Sequence, residues 1–205
     1  QAGFSIVKWQ APNNTSLTNP SIPHGLNQTP DFIIIKSLDA NYQNWMIWHN
    51  TFSNSAADYL QFNTSPKATA GINIWGGSGP SNNLINFASG SNQGSNNYSN
   101  NNHIAYCWHS IPGYSAFGSY TGNSSTDGPF VYTGFRPAFI MCKAMQIDTG
   151  NPAYYGWTII DNKRPGYNSA DLLPVYANMG KIEGQRAGAT TTFSGTNRTI
   201  DLLSN

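Results

Sequence analysis

The chain has very few charged side chains. Only 9% of its 205 residues are Asp, Glu, Lys or Arg, and the formal net charge at pH 7 is +1. An average soluble protein has about 25% charged residues, so solubility here must come from amides and hydroxyls, and 26 residues are Asn. Nucleic-acid binding needs clustered Lys or Arg to displace counterions, and the sequence has no such cluster. We therefore predict no nucleic-acid partner.

Acidic residues and histidines are too scattered to indicate an active site. Glu183 is the only glutamate, and the eight aspartates occur singly, whereas glycoside hydrolysis ordinarily uses two facing carboxylates. The histidines show neither HxH nor HExxH spacing, which argues against a metal site. No GxSxG motif or phosphate-binding glycine loop occurs. We predict no catalytic residue, no metal and no cofactor, and hence a protein that is not an enzyme.

Long apolar runs are absent, and cysteine is rare. No run of 18 apolar residues occurs, so no membrane insertion is predicted. The two cysteines, Cys107 and Cys142, lie in short apolar segments. A secreted scaffold that depends on disulfides would have more cysteines, so we interpret both as buried free thiols.

The chain is instead a series of short apolar segments separated by Gly, Asn and Pro. No segment shows helical periodicity over 11 residues, and the β-branched and aromatic content favours strands. Four apolar residues in a row at 32–35 and again at 139–142 predict strands covered on both faces. Further strands are predicted at 4–9, 45–48, 59–63, 72–75, 85–87, 104–108, 117–120, 157–160, 171–178 and 200–203. The pattern indicates an all-β protein of sandwich type, jelly-roll or concanavalin-like.

An internal repeat determines the predicted architecture. Gly3-Phe4-Ser5 recurs as Gly113-Tyr114-Ser115, and Pro30–Lys36 recurs as Pro137–Lys143, at offsets of 110 and 107 residues. We therefore predict two tandem β-sandwich repeats of about 100 residues each, at 1–111 and 112–205. No counterpart of strand 104–108 follows residue 203. We expect the second repeat to lack its last strand, which either a longer native chain or a neighbouring chain supplies.

Sugar binding is the one ligand function that the composition favours. Aromatic rings stack on sugar faces, and Asn side chains both donate to and accept from hydroxyl groups. Trp75, next to the glycine-rich 76–79 segment, and Tyr98, within the Asn-rich 88–102 segment, are the candidate glycan contacts. The alternative interpretation is that such loops are uncharged, solvated turns.

Two segments carry a family resemblance. HIAYCWHSIP followed by GYSAFGSYTGNSSTDGPFVYTGFRPAFIMCK resembles the signature of a group of virion proteins from tailed bacteriophages, especially marine and cyanobacterial ones. The first half, with GFSIV, PHGL, PDFIIIKS and NWMIWH, is similar to the amino-terminal half of that group. In that group the sequence usually continues past the position of Asn205 with a further apolar strand. The resemblance implies β-sandwich modules in tail fibres or other virion appendages, and it implies no catalytic residues.

The function expected from these observations is structural. We expect a tail-fibre or appendage module located in the virion, assembled as a homo-oligomer with other virion proteins and contacting a host surface glycan in some cases. The alternatives are a lectin-like receptor-binding module, a capsid decoration protein and a polysaccharide-degrading enzyme.

Overall fold

The structure is a computed structural model. It describes residues 3–12, 20–39, 43–63, 73–88, 97, 99–123, 129–145, 156–164 and 175–178. All regular secondary structure in these ranges is β, and every strand pair is antiparallel, which confirms the all-β prediction. The same ranges contain no helix of the length and apolar character needed to cross a bilayer.

Ten strands are described. They are β1 (Phe4–Gln10), β2 (Ser21–Pro23), β3 (Phe32–Ser37), β4 (Met46–His49), β5 (Leu60–Gln61), β6 (Leu84–Asn86), β7 (Asn102–Trp108), β8 (Phe139–Cys142), β9 (Thr158–Asp161) and β10 (Val175–Tyr176).

The chain divides into two compact units. One comprises Gln1–Phe62, Ala68–Ile111 and Ser115–Gly118, and the other comprises Asn63–Lys67, Pro112–Tyr114 and Ser119–Asn205. The predicted division into 1–111 and 112–205 differs from these units at 63–67 and 115–118. The duplication of a complete sandwich stays a prediction.

The first unit is built on a five-stranded sheet in the order β1-β7-β3-β4-β5. Its central strands β3 and β7 carry much of the core, and Ile33, Ile35, Ala105 and Cys107 have no exposed surface. These four residues alternate along β3 and β7, so they share one face. A two-stranded sheet of β2 and β6 adds the fully buried Ile85.

The second unit contains a three-stranded sheet in the order β10-β9-β8. Its pairing has the same pattern as that of β5, β4 and β3. Phe32 pairs with His49 in the first unit, and Phe139 pairs with Asp161 in the second. The flanking hydrogen bonds also correspond, since Asn50 N–H donates to the Asp31 carbonyl (2.9 Å) and Asn162 N–H donates to the Ala138 carbonyl (3.1 Å).

Three predictions about local structure are wrong. The segment at 72–75 is not a strand where it is described, because Ile74 and Trp75 begin a turn. No strand forms at 117–120, because the Phe117 ring instead stacks on Phe32 within the first unit, with ring centroids 5.7 Å apart. β8 is a strand as predicted but is not covered on both faces, since Phe139 is 59% exposed.

Other predictions are confirmed or lie outside the described ranges. Both cysteines are free; Cys107 is buried as predicted, whereas Cys142 is only half-buried. The predicted strand at 171–178 is described only from 175 onward, where β10 lies. The predicted strand at 200–203 lies outside the described residues.

Candidate interaction surface

Trp75 occupies the core of the first unit. It has no exposed surface, its backbone N–H donates to the Ala56 carbonyl (2.9 Å) and its indole Nε1–H donates to the Asp58 carbonyl (2.9 Å). The chain turns directly after it because Gly76 adopts φ +63°, where an added Cβ would lie 2.9 Å from the Phe87 carbonyl oxygen. A ring enclosed in this way has no face to offer a sugar, so the prediction of a glycan contact at Trp75 is wrong.

The second predicted glycan contact, Tyr98, lies outside the described residues. Its neighbour Asn97 is 1% exposed and accepts a hydrogen bond from Trp9 Nε1–H (2.9 Å). The Asn-rich segment therefore supplies at least one side chain to the core. Solvation alone does not explain its composition.

Three histidines, His24, His49 and His103, have a lowered pKa. His24 Nδ1 accepts from the Leu26 N–H (3.1 Å), so its Nε2–H donates to the Ser81 carbonyl (3.0 Å). Burial lowers the pKa of His24, of His49 and of His103 below the usual value because a buried imidazolium loses its hydration. Both ring nitrogens of His24 are used in hydrogen bonds to the backbone.

His109 differs from the other histidines. It is 6% exposed, and its Nδ1 lies 2.9 Å from the Ser110 carbonyl. Its buried Nε2 has no hydrogen-bond partner among the described residues.

The aspartates of the described ranges cap backbone groups. Asp31 accepts from the Ser110 N–H (2.6 Å), and Asp58 accepts from the Asn54 N–H (3.1 Å). Asp39 accepts from the Asn102 N–H, which lowers the pKa of its carboxyl group. Asp161 pairs with the Arg164 guanidinium (2.7 Å), and this hydrogen bond, together with those from the Lys163 and Arg164 N–H groups, lowers the Asp161 pKa to about 2.

These side chains therefore show bonding typical of turns and strand ends. Within the described part of the chain, no group of three His, Cys, Asp or Glu residues is arranged to hold a metal.

An apolar surface lies on β1 and β7, on the side opposite Ile33 and Cys107. Phe4 pairs with Trp108 and Ile6 with Tyr106 in the antiparallel register, so the four side chains share one face. We call these four residues the aromatic face. Phe4 is 41% and Ile6 56% exposed, and the rings of Phe4 and Tyr106 lie 4.9 and 6.2 Å from that of Trp108.

In the described ranges, more of the exposed large apolar side chains belong to the second unit than to the first. Its exposed large side chains are Tyr114 (77%), Tyr120 (59%), Phe130 (74%), Val131 (48%), Tyr132 (75%) and Phe139 (59%). We call these six residues the exposed apolar set. Three of them, Phe130, Val131 and Tyr132, are consecutive in the chain, and contiguous exposed apolar residues often mark surfaces that bind other molecules.

The comparisons with known proteins place the chain in one family. The profile of the family described as "Domain of unknown function (DUF7483)" matches residues 1–205. The chain belongs to this family. No curated protein and no solved structure matches it.

Sequence reasoning missed most of the exposed aromatic residues of this DUF7483 domain. The aromatic face could have been found from the alternation of Ile104, Tyr106 and Trp108, which places the three side chains on one side of a strand. The exposed apolar set gave no such signal, because an apolar side chain outside a periodic segment can be buried or exposed.

Proposed function

We propose that this domain is a structural module of a tailed-bacteriophage appendage, such as a tail fibre, and that it binds other proteins of the virion. The observation that carries the proposal is the exposed apolar set of the second unit, in which Tyr114, Phe130 and Tyr132 are each at least 74% exposed. Burying such rings against a partner lowers the free energy, because it removes apolar surface from water. The resemblance of residues 103–143 to virion proteins supports the phage context.

The low charge suits a protein of this kind. Protein–protein interfaces have few charged residues at their centres and are enriched in Tyr, Trp and Phe. The chain has 9% charged and 13% aromatic residues. A chain with this composition favours permanent assembly over transient, salt-dependent contact.

The location is tested on intact particles. Purified virions of the phage that encodes the protein are labelled with an antibody against this domain and gold-conjugated secondary antibody, and viewed by electron microscopy. We expect label on tail appendages. Label on the capsid shell supports the decoration-protein alternative, and detection only in the non-particle fraction of the lysate overturns the proposal.

The assembly state is tested on the purified protein by light scattering coupled to size-exclusion chromatography. We expect a homo-oligomer, with a mass that is a multiple of 22.3 kDa. The double substitution Phe130→Ser and Tyr132→Ser replaces exposed rings and should reduce that mass. Leu84→Ser, at an exposed position of the first unit, is the matched control and should leave it unchanged.

A lectin-like function is the second candidate, favoured by the aromatic face. Three rings lie side by side on this face, an arrangement that can stack on consecutive sugars. Tyr106→Ala should weaken binding on an array of host polysaccharides, with the unfolding temperature measured in parallel and Leu84→Ala as control. Absence of binding by the unsubstituted protein would remove this candidate.

A further inference from the structure

β8 corresponds to β3 but has fewer neighbours. β3 lies between β4 and β7 in the five-stranded sheet, and β8 pairs with β9 alone among the strands of the described ranges. The β8–β9 register matches that of β3–β4 residue for residue. Among the described residues, one edge of β8 therefore has no strand beside it, whereas the corresponding edge of β3 pairs with β7.

The first residues of β3 and β8 differ in burial, and this difference indicates which side chain a counterpart of β7 would contact. Phe32, which begins β3, is 4% exposed, and Phe139, which begins β8, is 59% exposed. In the first unit Trp108 of β7 pairs with Phe32, and their rings lie 5.5 Å apart. Trp108 covers Phe32 together with the stacked ring of Phe117, so a strand at the β7 position would cover part of the exposed Phe139 side chain.

Hydrogen bonding identifies the groups on the open edge. The Ala138 carbonyl accepts from Asn162 on the β9 side, and backbone groups alternate between the two edges of a strand. Ile140 and Cys142 therefore face β9 together with Ala138. The N–H and C=O groups of Phe139 and Met141 point to the open edge.

We propose that this edge of β8 binds an extended segment of another polypeptide as an added antiparallel strand. The segment has the chemistry of β7, namely large apolar side chains at alternate positions, as at Ile104, Tyr106 and Trp108. Strand addition of this kind derives affinity from main-chain hydrogen bonds and specificity from alternate side chains. The inference holds wherever the protein acts, so it does not depend on the proposed location in a virion.

A second copy of the chain does not provide such a segment through its own β7. That strand is hydrogen-bonded to β1 along one edge and to β3 along the other. Releasing it would break the five-stranded sheet. We therefore commit to a different polypeptide as the occupant; if a further segment of this chain covers the edge instead, the peptide described below will not bind and the proposal is wrong.

The test uses the purified 205-residue protein and a fluorescent peptide of residues 101–110 with Cys107→Ser to prevent oxidation. Fluorescence anisotropy measures the affinity.

The backbone orientation of β7 shows which N–H groups of the peptide would bond to β8. The backbone N–H and C=O groups of Asn102 face β3, since the Asn102 carbonyl accepts from the Leu38 N–H (2.8 Å). By alternation, the N–H groups of Ile104 and Tyr106 face β3 as well.

Two N-methylated peptides then form a matched pair. N-methyl groups on Ile104 and Tyr106 should weaken binding at least tenfold, because they block the bonds to β8. N-methyl groups on His103 and Ala105 should leave the affinity within threefold, because the N–H groups of these residues point away from β8. Equal binding of the two methylated peptides, or no binding of the parent peptide, overturns the proposal.

A substitution in the protein tests the same edge from the other side. Met141→Pro removes a donor on the open edge while the bonds to β9 remain, and proline is tolerated on edge strands. Met141→Ala keeps the N–H group and is the control. Peptide binding should be lost in the proline variant and kept in the alanine variant, with folding checked by circular dichroism.

If Met141→Pro converts a homo-oligomer to monomers, a second copy occupies the edge and the assignment to another polypeptide is wrong. The N-methylated peptides leave the protein unchanged, so they decide the question even if the proline variant fails to fold. Failure of this proposal leaves the gold-labelling result on virions unaffected, and the two proposals can therefore fail separately.

Discussion

Replacing Trp75 distinguishes a core residue from a sugar-binding one. Trp75→Ala removes a fully buried side chain, and truncations of this kind cost about 3–5 kcal/mol. It also leaves the Asp58 carbonyl without its indole donor, at a further cost of about 1 kcal/mol. The sum, about 4–6 kcal/mol, is a large part of the 5–15 kcal/mol by which domains are typically stable.

Urea unfolding measures this loss directly. With a slope of about 2 kcal/mol per molar urea, the transition midpoint of the first unit should fall by about 2–3 M. Trp75→Phe keeps an aromatic ring but loses the hydrogen bond and part of the ring volume, so it should cost about 1–3 kcal/mol, less than the Ala variant. Tyr114→Ala, at a 77% exposed residue, should stay within about 0.5 kcal/mol.

One result would refute the burial argument. If Trp75→Ala unfolds at the same urea concentration as the unsubstituted protein and loses only glycan binding, the indole lies on the surface. The Phe variant gives an independent check, because a stacking residue tolerates Phe whereas a buried indole donor does not.

Three further predictions concern buried polar groups. Burial lowers the folded-state pKa of His24 and His103 below 6.5, so their contribution to stability is present above pH 6.5 and is lost as the pH falls through the lowered pKa values. The urea midpoint should therefore decrease from pH 8 to pH 5, and a constant midpoint would contradict this prediction. Asn97→Ala should cost about 1–3 kcal/mol because the Trp9 indole N–H loses its acceptor, and thermal unfolding that shows no change would exclude Asn97 as an anchor. Burial raises the pKa of Cys107 from 9.0 to about 12, so iodoacetamide at pH 8 should modify it about 1,000-fold more slowly in the folded than in the urea-unfolded protein, as followed by peptide mass mapping.

Strand positions could be predicted where the local sequence alone favours a strand. Phe32–Ile35 and Ile104–Trp108 lie within β3 and β7, because continuous or alternating apolar residues leave no other way to bury them. The same reasoning located β8. It did not show that Phe139 would be exposed, since burial depends on a neighbouring strand that no local pattern reveals.

The errors arise where non-local packing decides the outcome. Trp75 follows an apolar segment and precedes glycines, a pattern equally typical of an exposed loop and of a buried turn. The close approach of Gly76 to the Phe87 backbone decides between them, and only the folded structure contains it. Phe117 likewise resembles a strand residue until its contact with Phe32 is known.

The position of β7 in the sheet has a consequence for synthesis on the ribosome. β1 pairs with β7 across about 100 residues, from Phe4 to Trp108, so the amino-terminal strand emerges long before its partner. At translation rates of about 5–20 residues per second, it waits about 5–20 s without a hydrogen-bonded neighbour. Contacts so distant in sequence also slow folding, and the nascent chain is most exposed to proteases and chaperones during this interval.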